Sequence, residues 1–290
     1  MTGFSRFCTA GNVAIGPGRP LAIIAGPCTL ESDDLGRRVA GDLAEACADL
    51  GLGYIFKASL DKANRSSVAS DRGPGMERGL DWLAAIAEEF ACPVTTDIHA
   101  PDQAARISRF VDLIQIPAFL CRQTDLLVAA GESAAAHGRG VNVKKGQFMA
   151  PAEMAGPVRK LAQTGCENVL LTERGTFFGY HRLVNDFIGL GDLMELDVAG
   201  FSRAGPPPVC FDATHSTQLP GSGEQTGGRR ERAPMLAKAA VAAGVHAVFI
   251  ETHPDPPGAV SDSATQLPLD EMPGLLRTLA RFTAARDHAP

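Results

Sequence analysis

Basic side chains recur close to the ends of short apolar segments, and their chemistry suits the binding of a small anion. They are Lys57, Lys62, Arg65, Arg122, Lys144 and Arg174. The chain as a whole is acidic, with 27 Lys and Arg residues against 33 Asp and Glu residues and a net charge of −6. Cations gathered on an acidic protein predict a multiply charged ligand, because Arg grips phosphate and carboxylate through paired hydrogen bonds. The alternative is that some of them lie on the surface or pair with Asp61, Asp71 and Asp125.

A second set of side chains has the chemistry of a metal site. It consists of Cys28, His215, Glu251 and Asp262. One thiol, one imidazole and two carboxylates suit a divalent transition ion such as zinc, iron or manganese. The four residues are far apart in the sequence, so only a fold that returns its last strands to its first brings them together. Two alternatives need no ion: Cys28 as a small buried thiol, and Glu251 paired with a histidine.

The elements that must position these residues alternate regularly along the chain. Eight short apolar segments predict β-strands at residues 21–26, 54–58, 93–98, 112–116, 141–145, 168–172, 208–213 and 247–252. They are apolar almost throughout, which is typical of parallel strands covered on both faces. Amphipathic helical patterns separate them, the weakest lying within 183–204. This α/β alternation predicts a (β/α)8 TIM barrel as a single domain at 21–290, with residues 1–20 as an N-terminal cap. An open doubly wound sheet is the rival fold, but no GxGxxG motif follows the first strand.

Every predicted strand end carries a polar or ionisable side chain. In chain order these are Cys28, Lys57, Asp97, Gln115, Lys144 with Lys145, Glu173 with Arg174, Asp212 with His215, and Glu251 with His253. A buried charge costs several kcal/mol to desolvate unless it is paired or bound to a ligand. Since the chemistry of such barrels lies at the C-terminal ends of the strands, these positions predict one site. Long connections at 59–74, 215–228 and 253–267 are predicted to cover it as lids.

Composition excludes several other classes of protein. Hydrophobic residues make up 45% of the 290-residue chain and charged residues 21%, which is typical of a globular domain and not of a disordered one. The 31 Gly and 20 Pro residues disfavour a helical bundle. Seven cysteines without short paired spacing indicate reduced thiols, and no apolar segment is long enough for a membrane span. We therefore expect a cytoplasmic protein that binds neither membranes nor nucleic acid, since nucleic-acid binders are normally basic.

Several long motifs resemble one enzyme family, the 3-deoxy-D-manno-octulosonate 8-phosphate synthases. The motifs include IAGPCTLES (24–32), FKASLDKANRSS (56–67), NVKKGQF (142–148), LTERGTFFGY (171–180), FDATHSTQLPG (211–221) and SDSATQLPL (261–269). The resemblance implies a TIM-barrel transferase that condenses phosphoenolpyruvate with D-arabinose 5-phosphate for lipopolysaccharide synthesis. It also implies a cytoplasmic homotetramer. The family has a metal-dependent branch, and Cys28, His215, Glu251 and Asp262 match its pattern, whereas the metal-independent branch carries Asn in place of Cys28.

The resemblance also implies a role for individual residues. Lys57 and Lys62 are expected to contact the carboxylate and the reacting carbons of phosphoenolpyruvate. His215 and Asp262 are also expected to be catalytic, and either Asp262 or Glu251 is expected to act as the base. The other expected substrate contacts are Asn64, Arg65, Ser66, Gln115, Ala118, Lys144 and Arg174, with Arg122 reaching in from a neighbouring subunit. Two alternatives remain: the sister heptulosonate 7-phosphate synthase that uses erythrose 4-phosphate, and a non-catalytic phosphosugar-binding barrel. The sister enzymes usually carry KPRTS where this chain has KANRSS.

Overall fold

The apolar segments form a parallel β-barrel in the computed structural model, which describes residues 7–63, 72–177, 179–202, 205–221 and 227–287. Within these ranges the barrel has eight strands, each within a residue or two of the predicted bounds. They are β1 Ala22–Gly26, β2 Gly53–Lys57, β3 Val94–Asp97, β4 Leu113–Ile116, β5 Gly140–Lys144, β6 Val169–Glu173, β7 Val209–Asp212 and β8 Ala247–His253.

The eighth strand closes the barrel. It pairs in parallel with β7, where Ala247 lies opposite Cys210, and with β1, where Ala247 lies opposite Ala22. The remaining strands pair in chain order from β1 to β7. The TIM-barrel prediction is confirmed, and the open sheet is excluded because β1 and β8 share a continuous ladder. Closure brings the ends of β1, β7 and β8 side by side.

Helices follow the strands and cover the outside of the barrel. They are α1 Asp33–Asp49, α2 Met76–Phe90, α3 Pro101–Ile107, α4 Thr124–His137, α5 Ala155–Gln163, α6 Phe187–Met194, α7 Ala233–Ala243 and α8 Met272–Asp287. Short 3₁₀ turns precede α5, α7 and α8, at Pro151–Met154, Arg230–Arg232 and Leu269–Glu271. In the described part of the weakly patterned segment, 183–202, the helix is limited to the eight residues of α6, and the Asp186 side chain caps it by accepting from the Ile188 amide.

The barrel interior is apolar at the end where its strands begin. Its lower layer contains Ile24, Ile55, Leu113, Leu170 and Phe249, all fully buried. A β-hairpin of Cys8–Ala10 and Val13–Ile15 packs against this layer. Its Thr9 backbone is tied to Asn168, just before β6, by hydrogen bonds of 2.7 and 2.8 Å. The hairpin therefore lies at the N-terminal ends of the strands, while the boundary between a cap and the barrel at residue 20 stays a prediction.

Three further features of the described residues concern the loop strands, the cysteines and the length of the helices. Short antiparallel strand pairs lie in the loops after β6 and β7, at Thr176–Phe177 with Leu183–Val184 and at Gln218–Leu219 with Gly227–Gly228. The seven cysteines are buried as free thiols. In the described ranges, no helix combines the length and apolar character that a membrane crossing demands.

Candidate active site

Strand alternation sorts polar side chains from apolar ones within the barrel. Successive side chains of a strand point to opposite faces, so residues two apart share the interior. Along β8 the interior sequence is Ala247, Phe249 and Glu251, and along β2 it is Ile55 and Lys57. Along these two strands the interior thus changes from apolar to ionisable within two residues of the strand end. The predicted site is formed by this upper layer.

Three of the four predicted metal ligands form a tight cluster. Ligand atoms of Cys28, Glu251 and Asp262 all lie within 4.8 Å of one another. The Cys28 thiol donates to Asp262 Oδ2 at 3.0 Å. His215 Nε2 lies 3.7 Å from Glu251 Oε1 and 4.0 Å from Asp262 Oδ2, so the fourth residue faces the same point. Barrel closure is what brings Cys28, near the start of the chain, to residues that follow β7 and β8.

The loops around this cluster are held in place by local contacts. The Cys28 amide donates to Gln266 Oε1 at 3.0 Å, which ties the β1 loop to the β8 loop. Asp262 has a φ of 49°, in the left-handed region that non-glycine residues seldom occupy. Such backbone strain is concentrated at functional sites, where the surrounding structure imposes it. Its carbonyl accepts from the amides of Thr265 and Gln266 at 2.9 and 3.1 Å.

The cluster fits a divalent transition ion on its own geometry. Glu251 is fully buried, and its Oε2 atom has no hydrogen-bond partner among the described residues. An unpaired buried carboxylate oxygen is costly, whereas an ion supplies the missing partner. Burial, Asp262 and Glu251 raise the pKa of the Cys28 thiol. Metal coordination reverses that direction because it deprotonates the thiol. Sulfur, nitrogen and oxygen donors together suit a transition ion of intermediate softness.

Two buried lysines flank the cluster. Lys57 Nζ lies 2.5 Å from Glu251 Oε1 and donates to the Cys28 carbonyl at 3.1 Å. Lys144 Nζ donates to Asp212 Oδ2 at 2.7 Å and lies 3.5 Å from the centre of the Phe249 ring. Burial lowers the pKa of Lys144 despite the nearby Asp212 carboxylate. The alternative that Lys57 and Lys144 lie on the protein surface is therefore wrong, since these residues are only 1% and 5% exposed.

Asp212 connects Lys144 to the cluster of predicted metal ligands. Its Oδ2 atom accepts from Lys144 and lies 2.8 Å from His215 Nδ1, while Oδ1 accepts from the His215 amide at 2.9 Å. Burial alone would raise the pKa of Asp212, but His215 and Lys144 hold it well below its usual range. The sequence placed Asp212 at a strand end without assigning it a role. The missed signal was its position two residues beyond inward-facing Cys210.

The remaining predicted side chains have different environments. Arg174 is 5% exposed and donates to Gln218 Oε1 at 2.6 Å, and Gln218 Nε2 lies 3.4 Å from Asp262 Oδ1. Burial lowers the pKa of Arg174. Gln115 is buried, and its Oε1 atom has no partner in the part of the chain that the structure describes. Ala118 is 7% exposed, in a 3₁₀ turn after β4. By contrast, Arg122 is exposed, consistent with a role outside its own pocket.

Lys62 extends the site toward β3. Its Nζ donates to Ser59 Oγ at 2.9 Å. Burial would lower the pKa of Lys62, but Cys28 and Glu251 raise it above the ordinary value. Nearby, His99 Nε2 lies 3.0 Å from Asp97 Oδ2, a pair without a predicted role. Asn64, Arg65 and Ser66 lie outside the described residues.

Comparison with known proteins places the chain in a family. The model of the DAHP synthetase I family matches residues 5–287. The 2-dehydro-3-deoxyphosphooctonate aldolase of Granulibacter bethesdensis is 52% identical over 97% of this chain and 95% of its own length. Proteins of the same name from Nitratidesulfovibrio vulgaris strain DP4 and Rhodopseudomonas palustris strain CGA009 are 54% and 51% identical, over 89% and 95% of this chain and 90% and 92% of their own lengths.

These relatives confirm the family predicted from the motifs, because their name denotes the same eight-carbon 3-deoxy keto acid phosphate. The range matched by the family model, residues 5–287, spans the whole barrel. On this evidence the chain belongs to the DAHP synthetase I family.

Proposed function

We propose that this protein condenses phosphoenolpyruvate with D-arabinose 5-phosphate and water, giving 3-deoxy-D-manno-octulosonate 8-phosphate and inorganic phosphate for lipopolysaccharide synthesis. The observation that carries the proposal is a continuous buried network across the barrel mouth. It runs from Lys57 through Glu251, His215 and Asp212 to Lys144. A non-catalytic barrel has no need of this costly arrangement of charges. The names of the relatives supply the product, and the network supplies chemistry suited to forming it.

The phosphoenolpyruvate pocket is built from buried cations. Lys144 and Arg174 hold its phosphate, beside the backbone of Ala118, and Lys57 and Lys62 meet its carboxylate. Support comes from burial: Lys144 and Arg174 are both 5% exposed, so a doubly charged anion repays their desolvation. Gln115 Oε1, unpaired among the described residues, is available to a substrate group. Arg174 reaches this pocket from the end of β6 and Lys144 from the end of β5.

The second substrate lies on the side of Lys62. Asn64, Arg65 and Ser66 hold the pentose phosphate, and Arg122 of a neighbouring subunit closes over it in a homotetramer. Arg122 is exposed, and so are Phe119 (52%) and Phe148 (48%) nearby in the β4 and β5 loops. Exposed aromatic side chains of this size support coverage by another subunit. We place the tetramer in the cytoplasm, where both substrates of a biosynthetic condensation are available.

The reaction forms one carbon–carbon bond and one carbon–oxygen bond to water, and it breaks the carbon–oxygen bond to phosphate. The enol carbon of phosphoenolpyruvate attacks the aldehyde, water adds to the carbon that bears the phosphate, and phosphate then leaves with its oxygen. Holding two mutually repelling anions in separate cationic pockets removes much of the entropic barrier. A divalent ion would be held by Cys28, His215, Glu251 and Asp262 and would polarise the aldehyde or the attacking water. Either Asp262 or Glu251 accepts a proton from the water that adds, and Asp212 keeps His215 oriented through Nδ1.

A panel of aldose phosphates tests this proposal. Purified protein is incubated with phosphoenolpyruvate, a divalent ion and either arabinose 5-phosphate or erythrose 4-phosphate, and released phosphate and product mass are measured. We expect turnover with the pentose phosphate, and loss of turnover in Lys57→Met. The family description names DAHP synthetase, so the sister reaction is the specific alternative. Turnover with erythrose 4-phosphate alone establishes that alternative, and no phosphate release with any sugar establishes a binding protein.

A further inference from the structure

A second charged pair lies directly behind the phosphate-binding side of the site. Lys145 and Glu173 adjoin Lys144 and Arg174 in sequence, so their side chains point to the opposite face of the barrel wall. Val143 on β5 and Leu171 on β6, which share their parity, pack in the layer between strands and helices. Lys145 is 1% exposed and Glu173 is 4% exposed. No step described above uses either side chain.

The contacts of Glu173 fix the backbone that carries Arg174. Its Oε1 atom accepts from the amide of Arg174 at 2.9 Å and from the amide of Gly175 at 2.6 Å. Gly175 has a φ of 88°, a conformation that favours glycine. The carboxylate therefore stabilises the tight turn through which the chain leaves β6. The direction of the Arg174 side chain depends on that turn.

Lys145 neutralises the same carboxylate and anchors the neighbouring loop. Its Nζ lies 3.4 Å from Glu173 Oε2 and 3.1 Å from the Met149 carbonyl, with Thr176 Oγ1 at 3.3 Å. These contacts hold the Lys145 ammonium on the outer side of the barrel wall, away from the phosphate pocket. If Lys145 were absent, the negative charge of Glu173 would be uncompensated. That charge lies one residue from Arg174, which must attract an anion.

We propose that Lys145 and Glu173 are a positioning pair for anion binding: Glu173 orients the Arg174 turn, and Lys145 cancels the charge that this orientation introduces. The inference rests on the proposed function in one respect, that Lys144 and Arg174 hold the phosphate of phosphoenolpyruvate. A buried ion pair adds little net stability compared with apolar side chains of the same size. The pair is therefore explained by the anion that binds on the other side of the wall.

Calorimetric titration with phosphoenolpyruvate and with inorganic phosphate tests the pair. The variants are Lys145→Met, the double variant Lys145→Met with Glu173→Gln, and Lys238→Met on α7 as a matched control. Glutamine keeps an oxygen for the two amides but carries no charge. We expect the Kd of Lys145→Met for phosphoenolpyruvate to rise at least tenfold, because two unit charges roughly 10 Å apart, through an effective dielectric near 20, change binding by about that factor and the phosphate carries more than one charge. The double variant should return to within about twofold of wild type, and Lys238→Met should not change.

The other possible outcomes separate failure of this inference from failure of the proposed function. Unchanged binding by Lys145→Met overturns the inference alone, and failure of the wild type to bind either anion overturns the proposed function with it. If the double variant binds as weakly as Lys145→Met, the ammonium attracts the anion itself and charge cancellation is wrong. If Lys145→Met does not fold, the double variant decides: folding with normal affinity supports the pair, whereas failure to fold assigns the pair to stability and overturns the proposal.

Discussion

Replacing Asp212 by Asn should weaken metal binding, although Asp212 is not itself a predicted metal ligand. The carboxylate accepts from Lys144 at 2.7 Å and from His215 at 2.8 and 2.9 Å, and it is fully buried. In the variant, an amide nitrogen in place of Oδ2 would face Lys144 Nζ and His215 Nδ1, and it could accept a hydrogen bond from neither. Loss of a carboxylate that orients a metal-binding histidine typically costs about 10- to 100-fold in metal affinity. The Lys144 ammonium is also left buried without its countercharge, which costs about 3–5 kcal/mol of folding free energy.

The assay for this prediction separates the two effects. Titration of metal-free protein with Zn²⁺ gives the affinity, and urea unfolding of the same samples gives the stability. Asp81→Asn, on the exposed face of α2, is the matched control and should alter neither quantity. If Asp212→Asn folds and retains the zinc affinity of the wild type, then Asp212 does not couple the two halves of the site and the network argument is refuted.

Three further predictions concern packing, pH and the neighbouring subunit. A Cβ atom at Gly26 would lie 2.1 Å from the Lys57 carbonyl oxygen, whereas one at Gly156 in α5 meets no described atom within 4 Å. Gly26→Ala should therefore cost about 2 kcal/mol or more in urea unfolding, and Gly156→Ala should be neutral or stabilise by up to about 1 kcal/mol. Burial opposes ionisation of Asp97, but His99 holds its pKa below the unfolded value of about 4, so its stabilisation is present above that pH and lost as pH falls. The pKa of His99 is raised, so this histidine is protonated in both the folded and the unfolded protein below about pH 5, and the comparison starts there. Asp97→Asn should lose less stability than the wild type between pH 5 and pH 3, and an equal loss contradicts the assignment. Arg122→Ala should raise KM for arabinose 5-phosphate about tenfold with metal affinity unchanged, and an unchanged KM removes Arg122 from the site.

The barrel was predictable because its strands are continuous apolar segments. Closure followed from eight regular units, and the position of Lys57 and Glu251 at strand ends was enough to predict that they lie at one end of the barrel. Asp212 was predicted at the same end, and it lies two residues beyond Cys210, which faces the interior. Its bridging role was not predictable, since it depends on the distances from one carboxylate to side chains on two other elements.

Other features depended on tertiary structure that no local pattern encodes. In the described residues 183–202 the helix α6 is short, because Asp186 caps its start and Leu183–Val184 before it pair as a small strand. Lys145 and Glu173 looked like members of the same polar layer as Lys144 and Arg174. The barrel wall separates the two pairs, and sequence adjacency gave no sign of which residue of each pair faces the pocket.

Cobalt substitution shows whether Cys28, which follows β1, and residues on and after β8 bind the same ion. Metal-free protein is titrated with Co²⁺, and the sulfur-to-cobalt charge-transfer absorption is recorded for wild type, Cys28→Ser and Cys47→Ser. We expect this absorption in wild type and in Cys47→Ser, whose altered residue lies on α1, and its loss in Cys28→Ser. Absence of the band in wild type, or its persistence in Cys28→Ser, would show that Cys28 does not bind the ion.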